Sequence, residues 1–229
     1  MLLDKKTTIE EAIGRIKDGD SVMLGGFGVP GTPFCLIQEL VRQGQKDLTV
    51  IKNDANEKGM GVDWLLENGQ VRKLITSHIG LNARAVELKN NGSVEIEFVA
   101  QGILAERVRA AGAGLMGFVS DIGIDTEFAD GKQQVELNGK VGLLEPAINA
   151  DFALVHAQSA DSFGNLRFSG TAMNFNPLMA MAADTVIVET ESYVALGDIQ
   201  PEDIHCPGPF TDAIVELSDL PEVYGVVQR

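Results

Sequence analysis

The chain has 229 residues, 45% hydrophobic and 22% charged, and its 18 basic against 33 acidic side chains give a net charge of −15 at pH 7. This length suits a domain that buries roughly 70–75% of its unfolded surface without disulfides, and the composition excludes wholesale disorder. A chain this acidic, without a basic stripe, excludes nucleic acid as a partner, and no apolar run approaches the ~18 residues of a membrane span.

The opening Met1-Leu2-Leu3-Asp4-Lys5-Lys6 lacks the apolar core of a signal peptide. A cytoplasmic location is therefore expected, with Cys35 and Cys206 as free thiols. Thr7 or Thr8 caps a first helix, with Glu10 or Glu11 as reciprocal partner. Ile9, Ala12, Ile13 and Ile16 form its apolar stripe, and Asp18-Gly19 ends it. Residues 21–24 read as a buried strand. A second helix then opens on Thr32 as cap and Pro33 as first helical residue, and stops at Gly44.

Further strands are predicted over 48–51, 73–76 and 94–99, with helices over 63–68, 82–88 and 103–111. This alternation predicts an α/β fold with an open, mostly parallel sheet and helices on both faces. Asn138-Gly139, between alternating Val135, Leu137, Val141 and Leu143, marks a type I′ hairpin. It lies in an antiparallel excursion near 115–145. A strand over 152–155, a turn over 161–165, a helix over 177–183 and a last buried strand over 185–188 complete the pattern. No repeat or linker interrupts it, so residues 1–229 read as one domain.

The loop Gly25-Gly26-Phe27-Gly28-Val29-Pro30-Gly31 carries the best sign of a site. It joins the carboxyl end of a strand to a helix start, where bare backbone N–H groups and the helix dipole attract an anion. A tight turn that binds nothing accounts for the same glycines. Residues 26–31 also match GxGxxG, with Asp54 near the end of the next strand, but Gly31 precedes the helix instead of entering it. No GK[ST] or GxSxG is present. His78, His156 and His205 lack metal-ligand spacing and read as structural or surface residues, so no metal is expected. Trp64, Met179 and Met181 read as core. Asn53 and Gln101 fall at strand ends, where their amides either orient a substrate carbonyl or carboxylate or cap adjacent helices.

Leu24-Gly25-Gly26-Phe27 with Gly31-Thr32-Pro33 resembles the A (alpha) subunit of family I CoA-transferases. The similarity continues nearly end to end, through Asn53-Asp54, Ser77-His78-Ile79-Gly80, Gln101-Gly102, Gly112-Ala113-Gly114, 150–154 and 174–177. The resemblance implies a sheet fold shared with sugar-phosphate isomerases and a B subunit as partner in an A2B2 heterotetramer. It implies ping-pong transfer of CoA from an acyl-CoA to a free acid, of the acetate, acetoacetate or 3-oxoacid type, with CoA as substrate and no permanently bound cofactor. The nucleophilic glutamate is implied to lie on the B subunit, leaving no catalytic nucleophile on this chain. Residues 25–31 match the CoA-binding segment, and Gln101 matches a residue near the reacting carboxylate; Gln101 and, from its place at a strand end, Asn53 are the expected substrate-orienting residues. The chain departs from the family pattern at Asp121, Ile122, Asp125 and Ile103, in pieces expected near the acyl end of the site. The alternatives are a sugar-phosphate isomerase, which needs its own base and a basic phosphate clamp, and an acyl-CoA or nucleotide sensor. Glu67-Asn68-Gly69 repeats the tripeptide around the B-subunit nucleophile, but it reads as a helix end with Gly69 as the stop.

Overall fold

The computed structural model describes residues 4–226. Four short parallel strands, β1 (Ser21–Leu24), β2 (Leu48–Ile51), β3 (Val71–Thr76) and β4 (Glu95–Phe98), lie side by side in chain order. The chain then returns to the far side of β1. There β8 (Ala150–Asp161), β10 (Ala183–Val194) and β11 (Ala213–Glu216) extend the parallel sheet, and β9 (Leu166–Arg167) pairs antiparallel with β8. The sheet order is thus β11-β10-β8-β1-β2-β3-β4.

Alternation along the strands sends side chains to two cores. Val22 and Leu24 of β1 pack with α1 (Ile9–Ile13), α2 (Phe34–Gln43), α3 (Val62–Glu67) and α4 (Ala83–Asn90) on one face. Met23 points the other way, toward α5 (Gln101–Gly112) and α6 (Asn176–Ala182). Burial on both faces is why these strands read as continuous apolar runs. The expected doubly covered, mostly parallel sheet is therefore present. No helix among the described residues is long and apolar enough to cross a membrane.

The excursion is a separate three-stranded antiparallel sheet of β5 (Gly117–Ser120), β6 (Gln134–Leu137) and β7 (Lys140–Pro146), ordered β5-β7-β6. Asn138 and Gly139 take φ values of 53° and 75°, as a type I′ turn requires.

Several expectations need correction. The first helix ends at Ile13, although Ile16 is still buried. The strand over 185–188 is not the last, because β11 pairs beyond it. Thr32 does not cap α2. Its hydroxyl donates to the Gly28 carbonyl, Pro33 takes the cap position, and Phe34 is the first helical residue. Gln101 begins α5 and does not end a strand. Met181 is exposed, whereas Met179 is core.

Candidate active site

The carboxyl ends of β1, β2, β3 and β4 open on one side of the sheet, and a cavity of about 260 Å³ lies there. Each strand exit contributes to the wall: Phe27, Gly28 and Val29 after β1, Asn53 and Asp54 after β2, His78 after β3, and Gln101 after β4. Open α/β sheets place ligands at this edge, because backbone N–H groups and loop side chains converge there without blocking the core. Met60 and Leu81 join Phe27 and Val29 to make one apolar wall, while Asn56 and Glu57 add polar groups. Among the described residues neither arginine nor lysine lines the cavity, so they supply no cationic clamp of the kind that a sugar phosphate requires.

Asn53, just after β2, and Gln101, at the start of α5, meet. The Gln101 Nε2 donates to Asn53 Oδ1 at 2.9 Å, and the Ser77 hydroxyl donates to the same oxygen at 3.2 Å. Gln101 is exposed and Asn53 is buried, so the pair forms part of the floor and rim of the cavity.

The loop over 25–31 is held differently from an open anion cradle. The Gly28 N–H donates to Asp54 Oδ2 at 2.8 Å. The Gly28 carbonyl accepts from the Thr32 hydroxyl at 2.6 Å and from Asn56 Nδ2 at 2.9 Å. Phe27 N–H donates to the Pro30 carbonyl at 3.1 Å. Asp54 is thus spent on the loop and is not free to take a ribose hydroxyl, which removes the dinucleotide analogy. Burial alone would raise the Asp54 carboxyl. The nearby Lys52 ammonium, the Gly28 and Asn56 N–H groups and the Asn53 amide outweigh it and hold the carboxyl below its ordinary range.

The α2 N-terminus also has its anion inside the protein. Leu36 N–H donates to Glu189 Oε2 at 2.9 Å, and the Tyr224 hydroxyl lies 3.4 Å from Phe34 N. The expected contribution of this helix dipole to ligand binding is therefore taken up by Glu189. His156 lies beside it, buried, with Nδ1 2.9 Å from Glu189 Oε1 and Nε2 3.0 Å from Glu191 Oε1. Burial opposes its charge, but the two carboxylates prevail and raise His156 to about 9. His205 is structural as expected, its Nδ1 accepting from Phe168 N–H at 3.0 Å, whereas His78 borders the cavity. Both cysteines are free, and burial raises Cys35 to about 12 and Cys206 to about 11, so neither is a ready thiolate nucleophile.

The glycines of the loop divide in two. A Cβ at Gly25 or Gly31 would run into Asn176, and one at Gly26 into Thr32, whereas Gly28 faces open space. Gly28 and Gly31 both have positive φ, 60° and 76°. Gly31→Val is accordingly expected to lower the melting temperature sharply. If the loop binds the CoA substrate that the sequence resemblance implies, Gly28→Val is expected to keep the fold and raise KM for it several-fold, by mild strain and by filling the open face of the loop. Thermal melts with steady-state kinetics check this; an unchanged KM in a folded Gly28→Val variant removes the loop from the binding site.

The departures from the family pattern do not line this cavity. Ile103 is core, and Asp121 lines a separate groove on the small sheet. Neither borders the cavity, and nor do Ile122 and Asp125. Glu67 ends α3 and pairs with Arg84 at 2.7 Å, with Asn68 as cap and Gly69 at φ 64°. It is absent from the cavity wall.

Residues 6–217 match the family described as Coenzyme A transferase. The chain is 45% identical over 212 residues to a probable coenzyme A transferase subunit alpha of Bacillus subtilis, covering 92% of this chain and 93% of that one. It is 42% identical over 211 residues to the acetate CoA-transferase subunit alpha of Escherichia coli, covering 92% and 96%. Among solved structures, an acyl-CoA transferase from E. coli O157:H7, in a thioester complex with CoA, superposes with a TM-score of 0.88 at 24% identity. That alignment covers 97% of this chain but only 49% of the longer one.

Proposed function

The chain belongs to the coenzyme A transferase family, and on that premise we propose that it is the A subunit of a short-chain acyl-CoA:carboxylate CoA-transferase. It works in the cytoplasm with a B subunit, two copies of each. The observation that carries this reading is the cavity. It offers paired neutral amides, an apolar wall and a glycine loop; of its two carboxylates Asp54 is held by the loop and Glu57 sits among the polar groups of the wall, Glu67 lies outside it, and among the described residues no arginine or lysine lines it. Such a site orients a thioester or carboxylate oxygen and leaves the covalent step to another chain.

In the chemistry that follows, the partner's glutamate attacks the acyl-CoA carbonyl and expels the CoA thiolate, forming an acyl-glutamyl anhydride. The thiolate then attacks the glutamyl carbonyl, releasing the first acid and leaving a glutamyl-CoA thioester. The acceptor carboxylate reverses both steps. Thioester energy is kept at every stage, which is nucleophilic catalysis without a metal. On this chain the Asn53 and Gln101 amides donate to the oxygen that gains charge, and the 25–31 loop holds the CoA portion. Binding energy from that remote portion helps hold the thioester in its reactive position.

The test is reconstitution. The chain alone is expected to show no CoA transfer, and co-expression with its B subunit to give a complex that transfers CoA between short-chain acids. Full activity in the isolated chain would overturn the division between two subunits. A complex inactive on every short acyl-CoA and acid pair would overturn the assigned reaction.

A further inference from the structure

An amide pair helps an oxyanion only if it presents nitrogen and not oxygen, and Asn53 and Gln101 could each be turned either way. We propose that Asp54 is a positioning residue that fixes the direction of both amides, so that each keeps an N–H free for the reacting carbonyl. This inference rests on the function proposed above.

The argument follows the donors. A carboxylate only accepts hydrogen bonds, whereas an amide has one accepting and one donating end. Asn53 Nδ2 lies 3.1 Å from Asp54 Oδ2, so Asn53 must turn its NH2 group to Asp54 and its Oδ1 the opposite way. That oxygen then requires a donor, and Gln101 supplies Nε2 at 2.9 Å. Ser77 donates to the same oxygen and reinforces the direction. Each NH2 group spends one proton inside this chain of contacts and retains the other. Both residues line the cavity.

Two features keep Asp54 an acceptor. Lys52 is fully buried behind it, with Nζ 3.6 Å from Oδ2 and no hydrogen-bond partner of its own. The backbone N–H groups of Gly28 and Asn56 occupy the two carboxylate oxygens at 2.8 and 2.9 Å. A neutral amide at position 54 would release Asn53 to flip. Gln101 would then turn its oxygen toward a partner that is gaining negative charge. Asp54 also grips the CoA loop through Gly28, so one side chain aligns both ends of the site.

The test is a double-mutant cycle on the complex with the B subunit, with kcat, KM and melting temperature measured for each member. Asp54→Asn is expected to lower kcat at least about fivefold in the wild-type background, and by a clearly smaller factor once Gln101→Ala has removed one of the two amides it orients. A role confined to the loop would instead raise KM for acyl-CoA equally in both backgrounds. Equal kcat losses in both backgrounds, or a loss in KM alone, would overturn the proposal. If Asp54→Asn does not assemble, Lys52→Met/Asp54→Asn removes both charges of the buried pair together and serves in the same cycle. A wild-type complex without CoA transfer would instead refute the proposed function, which keeps the two failures distinct.

Discussion

Gln101→Ala is expected to lower kcat at least about tenfold while the complex stays assembled and its melting temperature holds. Gln101 is exposed at the first turn of α5, so truncating it opens no cavity in the core. Its one side-chain hydrogen bond among the described residues goes to Asn53 Oδ1, which Ser77 still satisfies after the change. On the proposed function what is lost is a donor to developing charge, and such donors are worth roughly 2.7–4 kcal/mol in well-studied enzymes. Steady-state kinetics and size-exclusion chromatography check this. A dissociated complex would make Gln101 a structural residue, and an unchanged kcat would remove it from the transition state.

His156→Leu is expected to destabilise the fold by about 3–5 kcal/mol, the cost of leaving a buried carboxylate without its cation. Glu189 is fully buried, and its partners are His156, the Leu36 N–H and the Tyr224 hydroxyl. The Tyr224 hydroxyl, with one proton to share between Glu189 and the Thr32 carbonyl, touches both and ties the loop and α2 to the chain's last described segment. At this chain length the loss corresponds to a fall of roughly 6–20 °C in melting temperature. The same group gives a pH signature. His156 is raised from 6.5 to about 9 in the folded state. Its contribution, on the order of 3 kcal/mol, is fully present below pH ~6.5 and disappears as pH rises through ~9. Denaturant melts from pH 6 to 10 should show that decline in the wild type and not in His156→Leu. Parallel curves would remove the charged histidine from the account.

The parts of the fold that were legible in the sequence are those fixed by local pattern. β1 and β2 are short apolar runs between turn residues, and Asn138-Gly139 can hardly do anything but turn. β11 is not legible in the sequence because Ala213–Glu216 is a four-residue run whose strand state depends on pairing with β10, and on the Lys5 carbonyl accepting from Ile214 N–H. β8 and β10 run past their apolar centres into His156, Gln158, Glu189 and Glu191, because their mutual ladder carries the polar halves. The places of Asn53 and Gln101 after strands are legible in the sequence, but their contact, across 48 residues, is not. The grip of Asp54 on Gly28 and of Glu189 on α2 escaped for the same reason. Each is a long-range acceptor for a donor that local reasoning left free for a ligand.

The most direct test of the division of labour is to trap the covalent intermediate. The assembled complex is incubated with acyl-CoA, reduced with borohydride, and both chains are mapped by mass spectrometry. Reduction of the glutamyl-CoA thioester should change the mass of one glutamate peptide on the B subunit and none on this chain, and Glu67→Ala should leave the labelling and kcat within about twofold. A modified peptide containing Glu67, or any other glutamate of this chain, would contradict the account and make this subunit the nucleophile.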